Sequence, residues 1–146
     1  MPRSLIIGNG STLATFDDNA QMRDLYYPYV GMEDHTKYGD VHRVGVWVED
    51  IGFSWFSDPE WECTLNYRPE TLVTHSLLRN EKLGLVITSE DYVHPVKNIL
   101  VRNFRVVSTD GKDKNVKFFF NHDFHIYGDK QKDTAFFEPY TNSVIH

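Results

Sequence analysis

No stretch of this chain keeps apolar residues three and four positions apart for the several turns a helix needs. Short apolar runs bounded by turn signals recur instead, many alternating apolar and polar residues with period two. Ser4–Ile7 leads into Gly8-Asn9-Gly10, a triplet whose Gly and Asn accept positive φ. Thr12–Phe16, the tight connection Asp17-Asp18-Asn19, and Met22–Tyr26 complete an N-terminal three-stranded meander. Val44–Val48, Phe53–Phe56, Trp61–Tyr67, Leu72–Leu78, Leu83–Glu90, Ile99–Val107 and Val116–Tyr127 read as further strands. Ser57-Asp58-Pro59 and Arg79-Asn80-Glu81-Lys82 supply turns between them. Strands spaced by turns every ~8–12 residues, with no helices between, predict an all-β fold, an antiparallel β-sandwich.

The length of 146 residues fits one core, so residues 1–146 are read as a single domain. Ten Phe, eight Tyr and three Trp suit half-buried pleated surfaces. The formal charge is −6, and none of the fifteen Lys and Arg forms a long run, which argues against nucleic acid and against an anionic membrane face. No segment reaches the roughly 18 to 20 apolar residues of a membrane span. The N-terminal apolar run is too short for a signal peptide, and Cys63 is the one cysteine, with no internal disulfide partner. These features predict a cytoplasmic protein. The end of the chain, Thr141–His146, reads as the opening of a strand that nothing closes, which predicts a piece of a longer protein.

Several segments together resemble a known family. Ser4-Leu5-Ile6-Ile7-Gly8-Asn9-Gly10, then Met22-Arg23-Asp24-Leu25-Tyr26-Tyr27-Pro28-Tyr29-Val30-Gly31 and Glu33-Asp34-His35, resemble the N-terminus of prokaryotic family-15 glycoside hydrolases, the glucoamylase and glucodextranase relatives. His94–Arg102 and Phe119–Phe124 look like later strands of the same domain. The resemblance implies a supersandwich-like N-terminal β domain preceding a catalytic (α/α)6 barrel of six helical hairpins. It also implies that the general acid and general base are carboxylates of that barrel, acting by inversion on α-glucans or a related oligosaccharide. Twelve barrel helices need about 140 residues before any connection is counted. The barrel is therefore absent from this chain, and no catalytic residue is expected in it.

The local constellations agree. An inverting pair of carboxylates stands ~6.5–9.5 Å apart across the scissile bond. Glu33-Asp34 and Glu90-Asp91 are sequence neighbours whose side chains diverge, and they read as loop and strand-end charges. On a strand, His122 and His125 point to opposite faces and cannot share a metal ion. The same parity places Asn121, Asp123, His125 and Tyr127 on one face, either solvated or against the absent barrel, with Phe118, Phe120 and Phe124 on the other. Gly8-Asn9-Gly10-Ser11 lacks the Lys of a phosphate loop. Cys63 reads as a buried structural thiol. No cofactor and no metal are expected.

The long loop of residues 27–40 is the candidate functional segment. Sugars offer apolar C–H faces to aromatic rings and hydroxyls to carboxylate, amide or imidazole groups, and Tyr27, Tyr29, Glu33, His35 and Tyr38 supply both kinds of group. Two uses stay open: covering the core or docking on the barrel, and bordering the substrate pocket. The chain as a whole reads as an accessory domain of a glucoamylase-like α-glucosidase whose partners are the barrel and an α-glucan. Two alternatives remain. A free-standing carbohydrate-binding module would present Trp47, Trp55 and Trp61 as an exposed platform; a structural sandwich would pair with copies of itself as a homo-oligomer.

Overall fold

The computed structural model describes residues 3–36, 42–128 and 134–146. Among them the chain is built of antiparallel strands. They are β1 (Leu5–Gly8), β2 (Leu13–Phe16), β3 (Met22–Tyr26), β4 (Arg43–Val48), β5 (Gly52–Trp55), β6 (Glu62–Tyr67), β7 (Thr74–Asn80), β8 (Leu85–Val93), β9 (Leu100–Ser108), β10 (Val116–Asn121), β11 (Phe136–Glu138) and β12 (Ser143–Ile145). A short 3-10 turn, Ile126–Gly128, is the one helical element described. No helix among the described residues is long and apolar enough to cross a membrane.

The strands form a sandwich with one broad layer and one divided layer. Strands β6-β7-β8-β9 make the broad sheet; β1-β2-β3 and β10-β4-β5 lie opposite it. Period-two alternation explains the pairing. Along β8, Leu85, Ile87, Ser89, Asp91 and Val93 are buried while the intervening residues are half-buried. Val44, Val46 and Val48 of β4 pack with Leu78, Leu85 and Ile87 in one apolar cluster, completed by Phe56, Trp61 and Leu83. Leu5, Ile7, Ala14, Phe16 and Met22 close a second cluster on Val93, at the other end of β8.

Between the clusters runs a polar band. Asp91, fully buried, meets the guanidinium of Arg102 on the neighbouring strand, and Thr74 and Ser89 complete its contacts. Arg102 also donates to Ala20 O at 2.8 Å and lies 5.0 Å from the Phe16 ring centroid. A buried carboxylate needs such partners to stay charged. At the edge of the divided layer, the Tyr67 hydroxyl accepts from Ile6 N at 2.7 Å and donates to Ile6 O at 2.9 Å. That one side chain ties the broad sheet to β1.

Some sequence expectations need correction. Strand β10 ends at Asn121, not at Tyr127, so the strand-face assignment of Asp123, His125 and Tyr127 fails, whereas Phe124 does share a row with Phe118 and Phe120. The chain leaves the sheet because His125 N donates to His35 O at 2.9 Å, which pulls the segment across the end of the sandwich. His125 is thereby buried, and Phe118, Phe120, His122 and Phe124 stack in one row, with successive ring planes 17°, 21° and 25° apart. Trp61 is 7% exposed, with its indole N–H bonded to Ser54 Oγ at 3.0 Å, so it offers no platform. The terminal segment does not stand alone as a strand: β12 folds back on β11.

Candidate functional site

The site is assembled from three turns at one end of the sandwich. The first is the β1–β2 turn, where Asn9 Oδ1 accepts from Ser11 N (3.1 Å) and Thr12 N (2.9 Å), an Asx turn. The second is the β8–β9 turn. Asn9 Nδ2 reaches His94 O at 3.0 Å and Lys97 O at 3.2 Å, and Asn98 Oδ1 accepts from Ser11 Oγ (2.6 Å) and Thr12 Oγ1 (3.0 Å). Two asparagines thus lace the two turns into one floor.

The third is the loop after β3. Asp34 Oδ1 accepts from Leu25 N, Thr36 N and Thr36 Oγ1 at 3.3, 3.0 and 2.8 Å. Tyr29 O accepts from Met32 N and Glu33 N, closing a tight turn that returns Glu33 O to Tyr27 N. His35, 5% exposed, holds the loop to the rest. Its Nε2 donates to Tyr27 O at 2.7 Å, which leaves Nδ1 bare to accept from Tyr127 N at 3.3 Å. Both imidazole nitrogens are engaged within the chain. What His35 gives to the site is position and ring surface, with the Tyr127 ring edge-on at 5.7 Å.

Together these turns border an open cavity of about 490 Å3 lined by Thr12, Tyr27, His35 and Asn98, with Leu25, Leu100, Phe124, Ile126 and Tyr127. That volume lies inside the range of about 300–1,000 Å3 usual for small-molecule sites. Among the described residues its lining carries no carboxylate, lysine or arginine. Tyr127 sits there with φ 54° and ψ 20°, the left-handed region, which costs a bulky residue about 1–2 kcal/mol. A second hollow of about 360 Å3 adjoins it, sharing Leu25, Leu100 and Phe124 and reaching Arg102 and His122. There His42 Nδ1 and His122 Nδ1 lie 3.2 Å apart. Among the described residues no group of three His, Cys, Asp or Glu side chains could hold a metal ion.

Of the residues singled out from sequence, Tyr27 and His35 come together on this cavity. Tyr29, 63% exposed, and Glu33 shape the turn beside it and do not line it. Tyr38 lies outside the described residues. Sequence reasoning missed Thr12, Asn98, Phe124 and Tyr127. Asn98 follows Pro95 by three residues in a polar turn, a signal for a turn but not for its neighbours in space. Tyr127 carried no local signal, since its conformation is imposed by His35.

The carboxylate pairs serve structure. Glu90 is bound by Arg68 on the outer face, with His75 Nδ1 at 3.3 Å, while Asp91 faces the core. Trp47 and Trp55 lie on the outer face of β4 and β5, opposite Phe53 and Gly45 respectively. Phe53 meets Trp55 at 87° and Phe119 at 83°, so these rings pack edge-on instead of forming a flat shelf.

The chain is 31% identical over 115 residues to an uncharacterised glycosyl hydrolase of Methanocaldococcus jannaschii, an alignment covering 79% of this chain and 18% of that protein. The chain is related in sequence to a glycosyl hydrolase. It spans less than a fifth of that relative's length. No family model and no solved structure matches it.

Proposed function

We propose that this chain is the N-terminal accessory sandwich of a glucoamylase-like, family-15 α-glucosidase, without catalytic residues of its own. It packs on a helical barrel of the same polypeptide and lends the loop around Tyr27 and His35 to the border of the substrate pocket. The observation that carries this reading is the cavity at the end of the sandwich, walled by that loop and, among the described residues, free of carboxylates, in a chain related to a glycosyl hydrolase. Hydrolysis of a glycosidic bond needs an acid to protonate the leaving oxygen and a base to activate water, and those groups belong to the barrel in this reading.

The test is glucose release from maltoheptaose by this chain and by a longer product of the same reading frame. The chain alone releases none; the longer product does, and Tyr27→Ala in it raises KM with kcat little changed. Hydrolysis by the chain alone, or a reading frame without a helical-hairpin segment, overturns the proposal.

A further inference from the structure

We infer that the cavity between Tyr27, Asn98 and Tyr127 binds one neutral pyranose ring of an α-glucan, as a site on the sandwich itself. The inference rests on the reading above in naming the ligand of that cavity. Its support is the chemistry of the lining.

Among the described residues the walls carry no carboxylate, lysine or arginine, so what they offer a ligand is apolar surface and neutral polar groups. These described walls suit an uncharged ligand. Leu25, Leu100 and Phe124 give it apolar surface, and Tyr27 and Tyr127, residues 40% and 65% exposed, add two phenols to its lining. Asn98 is set by its neighbours. Three donors, Asn9 Nδ2, Ser11 Oγ and Thr12 Oγ1, converge on its Oδ1, so its amide NH2 is the group left to give. A pyranose ring matches that division, with C–H faces for the aromatic and aliphatic walls and hydroxyls for two phenols and one amide.

A second feature points to the same place. Tyr127 holds a left-handed backbone conformation that bulky side chains avoid, and its amide is fixed by His35 Nδ1. Strain of this kind concentrates at binding sites, where the surroundings over-determine one side chain. Here it sets the Tyr127 ring on the cavity wall.

The cavity is open on one side, so the free chain binds weakly, with a Kd on the order of millimolar. Titration of the 15N-labelled chain with maltotriose is expected to shift the amides of Thr12, Asn98 and Tyr127 together and to saturate. Two variants test the roles while sparing the fold. Tyr127→Gly suits the positive φ and removes the ring; Asn98→Asp keeps the Oδ1 acceptor and removes the donor. Each is expected to weaken maltotriose about tenfold, roughly the effect of one lost hydrogen bond to a ligand. Unchanged affinity in both variants overturns the inference. So do shifts confined to other residues, or cyclohexanol binding at these amides while maltotriose stays silent. The readout is binding, so its failure leaves the hydrolysis test of the longer product standing on its own result.

Discussion

Arg102 and Asp91 face each other across β8 and β9, with Arg102 Nε 2.9 Å from Asp91 Oδ1 and Nη2 3.4 Å from Oδ2. The pair stands where the two apolar clusters meet, and Thr74 and Ser89 satisfy the remaining carboxylate lone pairs. Removing one member strands the other charge in the core. Asp91→Ala is expected to destabilise the domain by about 3–5 kcal/mol. Asp91→Leu combined with Arg102→Met is expected to cost far less, because no unpaired charge remains. Urea unfolding midpoints of the three proteins check this; equal losses for single and double variants would refute it.

Cys63 gives a chemical prediction. Burial, followed by the negative charges of Asp17 and Asp18, pushes its thiol up to about 11. The thiolate is the nucleophile, so alkylation by iodoacetamide at pH 8 is expected to run about a hundredfold slower than for an ordinary thiol. Adding urea should restore the usual rate. Fast labelling of the folded chain would contradict the assignment.

His122 links stability to pH. Desolvation, with the positive charge of Arg102 added, holds its imidazole below the ordinary value. The unfolded chain takes up this proton near pH 6.5 while the folded one still resists it. The contribution is therefore intact above about pH 6.5 and is lost as pH falls through the lower, folded-state value. His122→Phe keeps a ring in the row and is expected to flatten the stability profile between about pH 7 and 5. An unchanged slope in thermal melts across that range would count against it.

Self-association is expected of the chain by itself. Strands β9 and β10 each border only one other strand among the described residues. Phe120 has the register of the core-facing Phe118, opposite Val44, yet is 48% exposed. Free strand edges beside uncovered aromatics template pairing with another chain. Sedimentation velocity should show a weight-average coefficient rising with concentration, and Phe120→Asp should suppress the rise. A concentration-independent monomer would sink the idea.

The fold was legible because its signals are local. Gly8-Asn9-Gly10 announces a turn by its own chemistry, and the alternation along Leu85–Val93 announces which residues face the core. Half of the site was legible for the same reason: Tyr27 and His35 stand in one irregular, aromatic-rich loop. The other half depends on contacts between distant segments. Nothing near Phe124 or Tyr127 says that the strand stops at Asn121; that boundary comes from His35, some ninety positions earlier, which accepts from His125 N through its carbonyl and from Tyr127 N through its ring. Asn98 joins the cavity through its bonds to Ser11 and Thr12. The buried placement of Trp61 likewise follows from Ser54 Oγ, a partner that no period-two pattern identifies.

The phenol of Tyr67 has a further effect at the outer border of β1. By accepting from one peptide N–H and donating to the carbonyl of the same residue, it imitates the peptide group of an incoming strand. Ile6 is thus already occupied on the side where a neighbour would dock, although its side chain stays exposed. A single hydroxyl acts there as a stopper against lateral growth of the sheet. The borders of β9 and β10 have no such stopper among the described contacts, so beside the row of stacked rings the sheet edges stay open where β1 is closed.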